Sequence, residues 1–362
     1  MVADAPHEFT LVVDRSTADE CELPRGARLL VVETRERPTR AASATTARSP
    51  ADLWRLARAA SRQRFDAFLF PAVYSFYPLL RRMPTVVAFH DAIAERHPDL
   101  VFPGWRQRLF WRLKTAVARR QADLILTVSR SAKDEIVRVF GSPETSVRVI
   151  PEAAGSEFRP LADAQALCRV QQRYGLPKEG PLILHVGGFS PHKNLGRLLE
   201  ALVGLDSSSP PWHLVLAGDH ADVFHSAYLE LRAAVAEAGF DHRVTFTGHV
   251  PDPDLVVLYN AATMLVLPSL AEGFGLPAIE AMACGLPVVA SRRGSVPEVL
   301  GGAGLLFDPT EPEDIRMAIS RVLTDPSLRD RMKRAGLERA RAFSWHTAAH
   351  QTVSLLEEVA RA

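Results

Sequence analysis

Two glutamates eight positions apart, Glu272 and Glu280, bracket the run Gly273-Phe274-Gly275-Leu276-Pro277. An apolar strand, Thr263–Leu267, is expected before them and a helix, Ala278–Cys284, after them. Pro277 suits the first helical position, where a missing N–H goes unnoticed, and Gly285 suits the stop just past the end. The glycines let backbone come close to a ligand. The unsatisfied N–H groups of a helix start favour an anion. One turn thus offers amides to a phosphate or a sugar hydroxyl, flanked by carboxylates that only accept hydrogen bonds and so suit the diols of ribose or hexose. The same turn could simply open a buried helix. The strand before it and the apolar helix after it favour the ligand.

A second stretch, Leu184–Leu195 (L-H-V-G-G-F-S-P-H-K-N-L), ends a strand at Val186 and turns through Gly187 and Gly188. Lys193 sits beside Asn194, which is expected to cap the following helix. A lysine at a helix start opposes the dipole. A diphosphate held by the Gly187-Gly188 backbone and the Lys193 ammonium would account for it; a solvated surface lysine would too. A third candidate, His90 in Phe89-His90-Asp91, ends a strand of the first half. Its imidazole could donate to a substrate oxygen or a phosphate, or it could be satisfied by Asp91 for structure only.

The elements needed to position these groups alternate in type. In the first half, Phe9–Val13, Leu29–Val32, Ala67–Phe70, Thr85–Phe89, Leu124–Val128 and Val147–Ile150 read as strands. Ala51–Ser61, Trp105–Gln121 and Ser131–Phe140 read as helices, and Thr34–Pro50 as a mobile loop. Ile150–Pro160 breaks the pattern, and Leu161–Tyr174 is expected to be a helix over the junction. The second half repeats the alternation. Strands are expected at Leu182–Val186, His213–Ala217, Val244–Thr247, Thr263–Leu267, Val288–Ala290 and Gly304–Phe307. Helices are expected at Asn194–Leu205, Ala227–Ala238, Asp254–Ala261, Ala278–Cys284, Val296–Leu300 and Pro312–Leu323. From Ser327 onward the chain reads as helix with a pause at Phe343–Trp345. The fold class is therefore α/β: two doubly wound parallel-sheet domains, residues 1–155 and 156–345, followed by a helix, 346–362, that could cross back to the first domain. A cleft between the halves is the expected ligand site.

The 362 residues suit two domains, and 47% hydrophobic content suffices for packed cores. A net charge of +1 argues against a nucleic-acid partner. Cys21, Cys168 and Cys284 lie far apart with no C-x-x-C pair, which argues against a disulfide framework or zinc site and fits a reducing cytoplasm. Met1-Val2-Ala3-Asp4 shows no signal-peptide character. No P-loop and no nucleophile-elbow motif is present. Trp105–Arg120 is basic and aromatic without a single acid. Its face of Leu109, Leu113, Ala116 and Val117 could pack on its own sheet, rest on an anionic membrane surface from the cytoplasmic side, or help receive a phosphorylated acceptor.

Taken together, Glu272 and Glu280 around Gly-Phe-Gly-Leu-Pro, Val186–Asn194 as V-G-x-x-x-P-x-K-N, and the strand-ending Phe89-His90-Asp91 resemble the retaining glycosyltransferases of family four. The resemblance runs from Phe65 to the end and is tightest from Leu182 to Leu306. It implies the GT-B fold and transfer of a hexose from a UDP- or GDP-sugar to a hydroxyl acceptor, whether glycan, lipid-linked or small molecule. It implies Glu280 on the ribose and Glu272 on the donor hexose. It also implies the turn Gly273, Phe274, Gly275 and Leu276 on hexose and diphosphate, Lys193 on the leaving diphosphate, Val250 near the base and His90 on the donor. No metal or other cofactor is expected, and anomeric retention is. Three departures stand out. Gly188 replaces an arginine that many relatives carry, so His192 or another arginine would have to compensate. The linker reads Pro151-Glu152-Ala153-Ala154. The opening strand–loop–helix unit with its Gly-rich loop looks to be missing, since no glycine precedes Gly26. A nucleotide-sugar epimerase, a sugar phosphorylase and a non-catalytic binding protein are the rival readings of the same fold.

Overall fold

A computed structural model describes residues 6–35, 49–102, 104–205, 211–219 and 227–361. Most of the stretch read as a mobile loop, residues 36–48, lies outside them, as does Met1–Asp4. The chain divides into two compact units, one of residues 1–129, 133–150 and 346–362, the other of 130–132 and 151–345.

The first unit opens with β1 (Thr10–Asp14), α1 (Arg15–Glu20) and β2 (Arg28–Val32), and the two strands pair in parallel. Asp14 is buried, and its carboxylate accepts from the Thr17 amide at 2.9 Å, so β1 passes straight into α1. A strand–helix–strand unit is thus present at the start. What is absent is the Gly-rich connection, because an aspartate cap does the turning. After α2 (Pro50–Arg62), capped by Ser49, comes a parallel sheet of β3 (Phe68–Phe70), β4 (Thr85–Ala88), β5 (Leu124–Thr127) and β6 (Val147–Val149) in that order. Between β4 and β5 lie α3 (Ile93–Arg96), α4 (Pro98–Val101) and α5 (Trp105–Gln121); α6 (Arg130–Phe140) leads to β6. The two four-residue helices carry too few residues for a periodic signal, and the sequence did not announce them.

The second unit begins with α7 (Ala164–Tyr174), whose N-cap Asp163 starts it later than periodicity suggested. Then β7 (Leu182–Val186), α8 (Leu195–Val203), β8 (His213–Ala217), α9 (Tyr228–Glu237), β9 (Val244–Gly248), α10 (Asp252–Ala261) and β10 (Met264–Leu267) alternate. They are followed by α11 (Leu276–Ala283), β11 (Val288–Ser291), α12 (Val296–Leu300), β12 (Leu305–Phe307), α13 (Pro312–Thr324) and α14 (Pro326–Ala340). The six strands are all parallel and ordered β9-β8-β7-β10-β11-β12. This is the doubly wound order, with its switch between β7 and β10. On one side Leu198 and Leu202 of α8 and Ile315, Ile319 and Val322 of α13 fill the core against Ile183 and Val266. Gly285, at φ 76°, ends α11, and Leu286 N–H returns to the Ala281 carbonyl at 2.8 Å.

The last helix, α15 (Trp345–Arg361), returns to the first unit. Ala348, Leu355 and Val359 close a buried cluster with Val86 of β4 and Ile150 beyond β6. His7 and Glu357 meet at 2.8 Å beside it.

Candidate functional site

Two loops leave neighbouring strands at the switch point of the second unit, where ligands of such sheets sit. The loop after β7 carries Gly187, Gly188 and Lys193; the loop after β10 carries Ser269, Glu272 and the Gly-Phe-Gly turn. They meet directly. Lys193 Nζ donates to Glu272 Oε1 at 2.8 Å, and Ser269 Oγ donates to the same oxygen at 2.7 Å. Burial on its own would raise the Glu272 carboxyl, but the ammonium and the hydroxyl outweigh it and hold the group below its usual range. Glu272 Oε2 and two of the three ammonium N–H bonds are unclaimed among the described residues.

Asn194 does not cap α8 with its side chain. It sits at φ 59°, and its amide donates to the Pro268 carbonyl at 3.0 Å and the Pro309 carbonyl at 2.7 Å. It therefore ties the loop after β7 to those after β10 and β12, and fixes the lysine next to it. A left-handed asparagine with two long-range acceptors cannot also turn back to its own helix start.

Gly275 is the N-cap of α11 at φ 96°, with Pro277 in the first turn. The amides of Phe274, Gly275 and Leu276 find no acceptor among the described residues. The turn is braced from behind. Ser295 Oγ reaches the Glu272 and Phe274 carbonyls at 3.0 and 2.8 Å, and Gly294 packs so close that a Cβ there would lie 2.8 Å from the Glu272 nitrogen. The Phe274 ring is buried edge-on against Phe343, which leaves its backbone at the front.

Glu280 lies one turn into α11, and its Oε2 accepts from the hydroxyl of buried Tyr259 on α10 at 2.8 Å. Burial raises its carboxyl, with Asp252 and Glu157 adding to the rise and the Tyr259 bond opposing it. Oε1 is bare among the described residues.

Gly187 and Gly218 directly follow β7 and β8, and Gly248 closes the neighbouring β9. Gly187 N–H donates to the Ala217 carbonyl at 2.9 Å and Gly218 N–H to the Gly248 carbonyl at 3.1 Å. A Cβ on Gly218 would stand 1.9 Å from the Gly187 oxygen. Val250, beyond Gly248, is buried. His90 stands half-buried at the end of β4 in the first unit, and Asp91 Oδ1 accepts from the Ile93 amide at 2.9 Å to start α3. His192 is buried, and Arg292 and Arg293 are drawn to Asp308, so none of them stands out as the second clamp that Gly188 lacks.

Ser269, Ser295, Gly218 and His185 are among the contributors that escaped the sequence reading, as are Tyr259 and Gly294. Only Gly218, directly after a strand, carried a signal of the kind used for Gly187. His185 is fully buried below Lys193, and its Nδ1 donates to the Val266 carbonyl at 3.0 Å. Burial holds its pKa down to about 4, so the ring is neutral and Nε2 bears a lone pair with no donor among the described residues. A cavity of about 560 Å³ opens at the opposite end of the sheet, beside Pro181, Thr263 and Pro287, which precede their strands. It has no part in this constellation.

The model for glycosyl transferases group 1 matches residues 169–339, and that for glycosyltransferase family 4 matches residues 2–154. O-antigen chain mannosyltransferase B of Escherichia coli is 34% identical over 280 residues, which are 77% of this chain and 72% of that one. The serotype-specific mannosyltransferase WbdA of Escherichia coli is 33% identical over 74% of this chain, which spans only 33% of its length. Among solved structures, Anabaena Alr3699/HepE in complex with UDP and glucose superposes with a TM-score of 0.72 at 21% identity, covering 92% of this chain and 87% of that one. That likeness bears on the fold, which is the two-Rossmann-domain GT-B architecture. The matched models, the relatives and the loops at the switch point agree: the chain belongs to glycosyltransferase family four and is an enzyme that transfers a sugar from an activated donor.

Proposed function

We propose that the chain moves a hexose from a UDP- or GDP-sugar to a hydroxyl of a glycan, with retention at the anomeric carbon and without a metal. The observation that carries this is the Lys193–Glu272 pair at 2.8 Å, with a free carboxylate oxygen and free ammonium N–H bonds beside the unclaimed amides of Phe274, Gly275 and Leu276. Such a set matches a sugar diphosphate: acceptors for hydroxyls, donors for phosphate. In this reading Glu272 Oε2 takes a hexose hydroxyl and Lys193 meets the diphosphate as its charge grows on leaving. Glu280 Oε1 takes the ribose, and Gly187 and Gly188 let the backbone come close. Val250 near the base and His90 on the donor follow from the family resemblance. Mannose is the hexose in the names of the two mannosyltransferases above. Retention is read as same-face attack, since no protein nucleophile is assigned. Three unpaired thiols fit a reducing compartment and so support a cytoplasmic reaction.

Isothermal titration with UDP-, GDP-mannose and UDP-glucose, followed by transfer assays with EDTA present, tests the reading. One donor is expected to bind and turn over, with product of the donor's anomeric configuration and a rate unmoved by chelation. Binding without transfer to any glycan acceptor, or inversion in the product, would end it.

A further inference from the structure

Helix α15 carries two histidines four residues apart, His346 and His350, in its first two turns. Residues so spaced lie one above the other on one face of a helix. Ala348, two positions from each, is buried in the first unit's core, so the pair faces the other way, and both residues are exposed. Their Nε2 atoms stand 3.2 Å apart and their ring centres 4.4 Å apart. One imidazole donates its Nε2–H to the lone pair of the other. At that length the bond is weak, and water could serve both exposed rings as well. Among the described residues the ion pairs of α15 fall at its far end. Glu357 meets His7 at 2.8 Å and Arg361 at 3.0 Å, and Arg148 meets Glu358 at 2.9 Å.

Two imidazole nitrogens at this separation match a shared metal. With metal–imidazole bonds of roughly 2.1 Å, 3.2 Å subtends about 100° at the cation, between the octahedral and tetrahedral angles. The donating ring has only to carry its hydrogen on Nδ1 instead, which frees a second Nε2 lone pair without net loss of a proton. Imidazole selects late first-row divalent cations over magnesium or calcium, which want oxygen. Among the described residues no cluster of three or more His, Cys, Asp or Glu could hold a metal, so this is a two-toothed chelate with water at the remaining positions.

We infer that His346 and His350 form a chelating site for a late first-row divalent cation, and that the cation fastens the near end of α15. The place matters. The chain passes from the second unit to the first between residues 345 and 346, and α15 then supplies Ala348, Leu355 and Val359 to the core of the first. A chelate across one turn forms only while that turn is helical, so its binding energy becomes helix stability. Ion pairs secure one end of α15, and the metal secures the other. No group of the donor site takes part, so the inference stands or falls apart from the donor reading.

The test uses the full chain without a histidine tag. Titration calorimetry with copper(II), nickel(II), zinc(II) and magnesium chlorides should give one tight ion per chain, copper the tightest and magnesium unbound. Copper should quench the emission of Trp345, which is 49% exposed beside His346, and W345F should lose that part of the quenching. H346Q and H350Q should each weaken copper binding on the order of a hundredfold, because the second nitrogen closes an intramolecular ring. Melting of both variants in EDTA should match the parent's, which separates a lost ligand from a damaged fold. At free zinc(II) one hundred times its dissociation constant, amides that exchange through opening of α15 should slow by about a hundredfold. In H346Q/H350Q they should not slow at all. Copper affinity that survives in both single variants, protection by magnesium equal to that by zinc, or binding that leaves α15 exchange unchanged overturns the inference.

Discussion

Glu272 in the second unit and Glu95 in the first are both carboxyls withdrawn from water, yet they titrate in opposite directions. Glu272 has an ammonium at 2.8 Å and falls below its usual range. Glu95 is bonded to the neutral indole of Trp111, and burial, which the indole bond offsets only in part, lifts it to about 7. The neighbouring Arg96 pairs with Glu135 instead. Burial is common to both; a bonded cation decides the sign. The second unit gathers its charges at one end of one sheet, in loops with recognisable spacing. The first spreads Tyr74, Asp91, Glu95 and Trp111 over separate elements, where no spacing announces them.

The sharpest way to break this contrast is Lys193→Ala. Turnover should fall by roughly 10²–10³-fold, the scale of losing one charge-stabilising donor, with nucleotide affinity changed much less. Equal losses in steady-state rate and calorimetric affinity would make Lys193 a ground-state binder and remove the special status of the pair. Next comes Gly218→Ala. The added carbon meets the Gly187 oxygen at 1.9 Å, so thermal unfolding should show a loss on the order of 3 kcal/mol, at the severe end for one methyl. A loss below about 1 kcal/mol would mean that the strand ends yield freely.

The contrast also has a pH signature. His185 is depressed to about 4 from 6.5, so the unfolded chain takes a proton first as pH falls. The second unit should lose up to about 3 kcal/mol between those values, the loss growing downward. Glu95 is raised to about 7 from 4.5, so the unfolded chain releases its proton first as pH rises. The first unit should lose up to about 3 kcal/mol across that window, the loss growing upward. Hydrogen exchange resolved by unit would show the two crossing; parallel curves would refute the assignment. The smallest effect is Glu280→Ala, which should weaken nucleotide binding by about 1–3 kcal/mol in titration calorimetry. Unchanged affinity would take Glu280 off the ribose.

The sequence carried the regular parts well, because apolar runs must be buried whatever their neighbours do. Leu182–Val186, His213–Ala217 and Val296–Leu300 form as their patterns dictate. The Glu272 to Gly285 stretch was legible for the same reason: glycine, proline and an apolar helix act locally. Asn194 was not, since its acceptors on Pro268 and Pro309 are 74 and 115 residues away and outcompete the cap. Nor was the facing of α5, where two apolar stripes compete: Trp111, bonded to Glu95, turns inward and leaves Leu109, Leu113 and Val117, expected to pack on the sheet, exposed. His185 looks like any polar residue in a strand until its burial is known.

The return of α15 to the first unit has a consequence for birth on the ribosome. Ala348, Leu355 and Val359 complete a core whose other walls, Val86 and Ile150, are made some two hundred residues earlier or more. Emerging from the exit tunnel, the second unit can condense as soon as its own span is clear, whereas the first must wait for the final helix. A released chain truncated before residue 346 should therefore expose an unfinished amino-terminal half to proteases and chaperones while its successor is already folded.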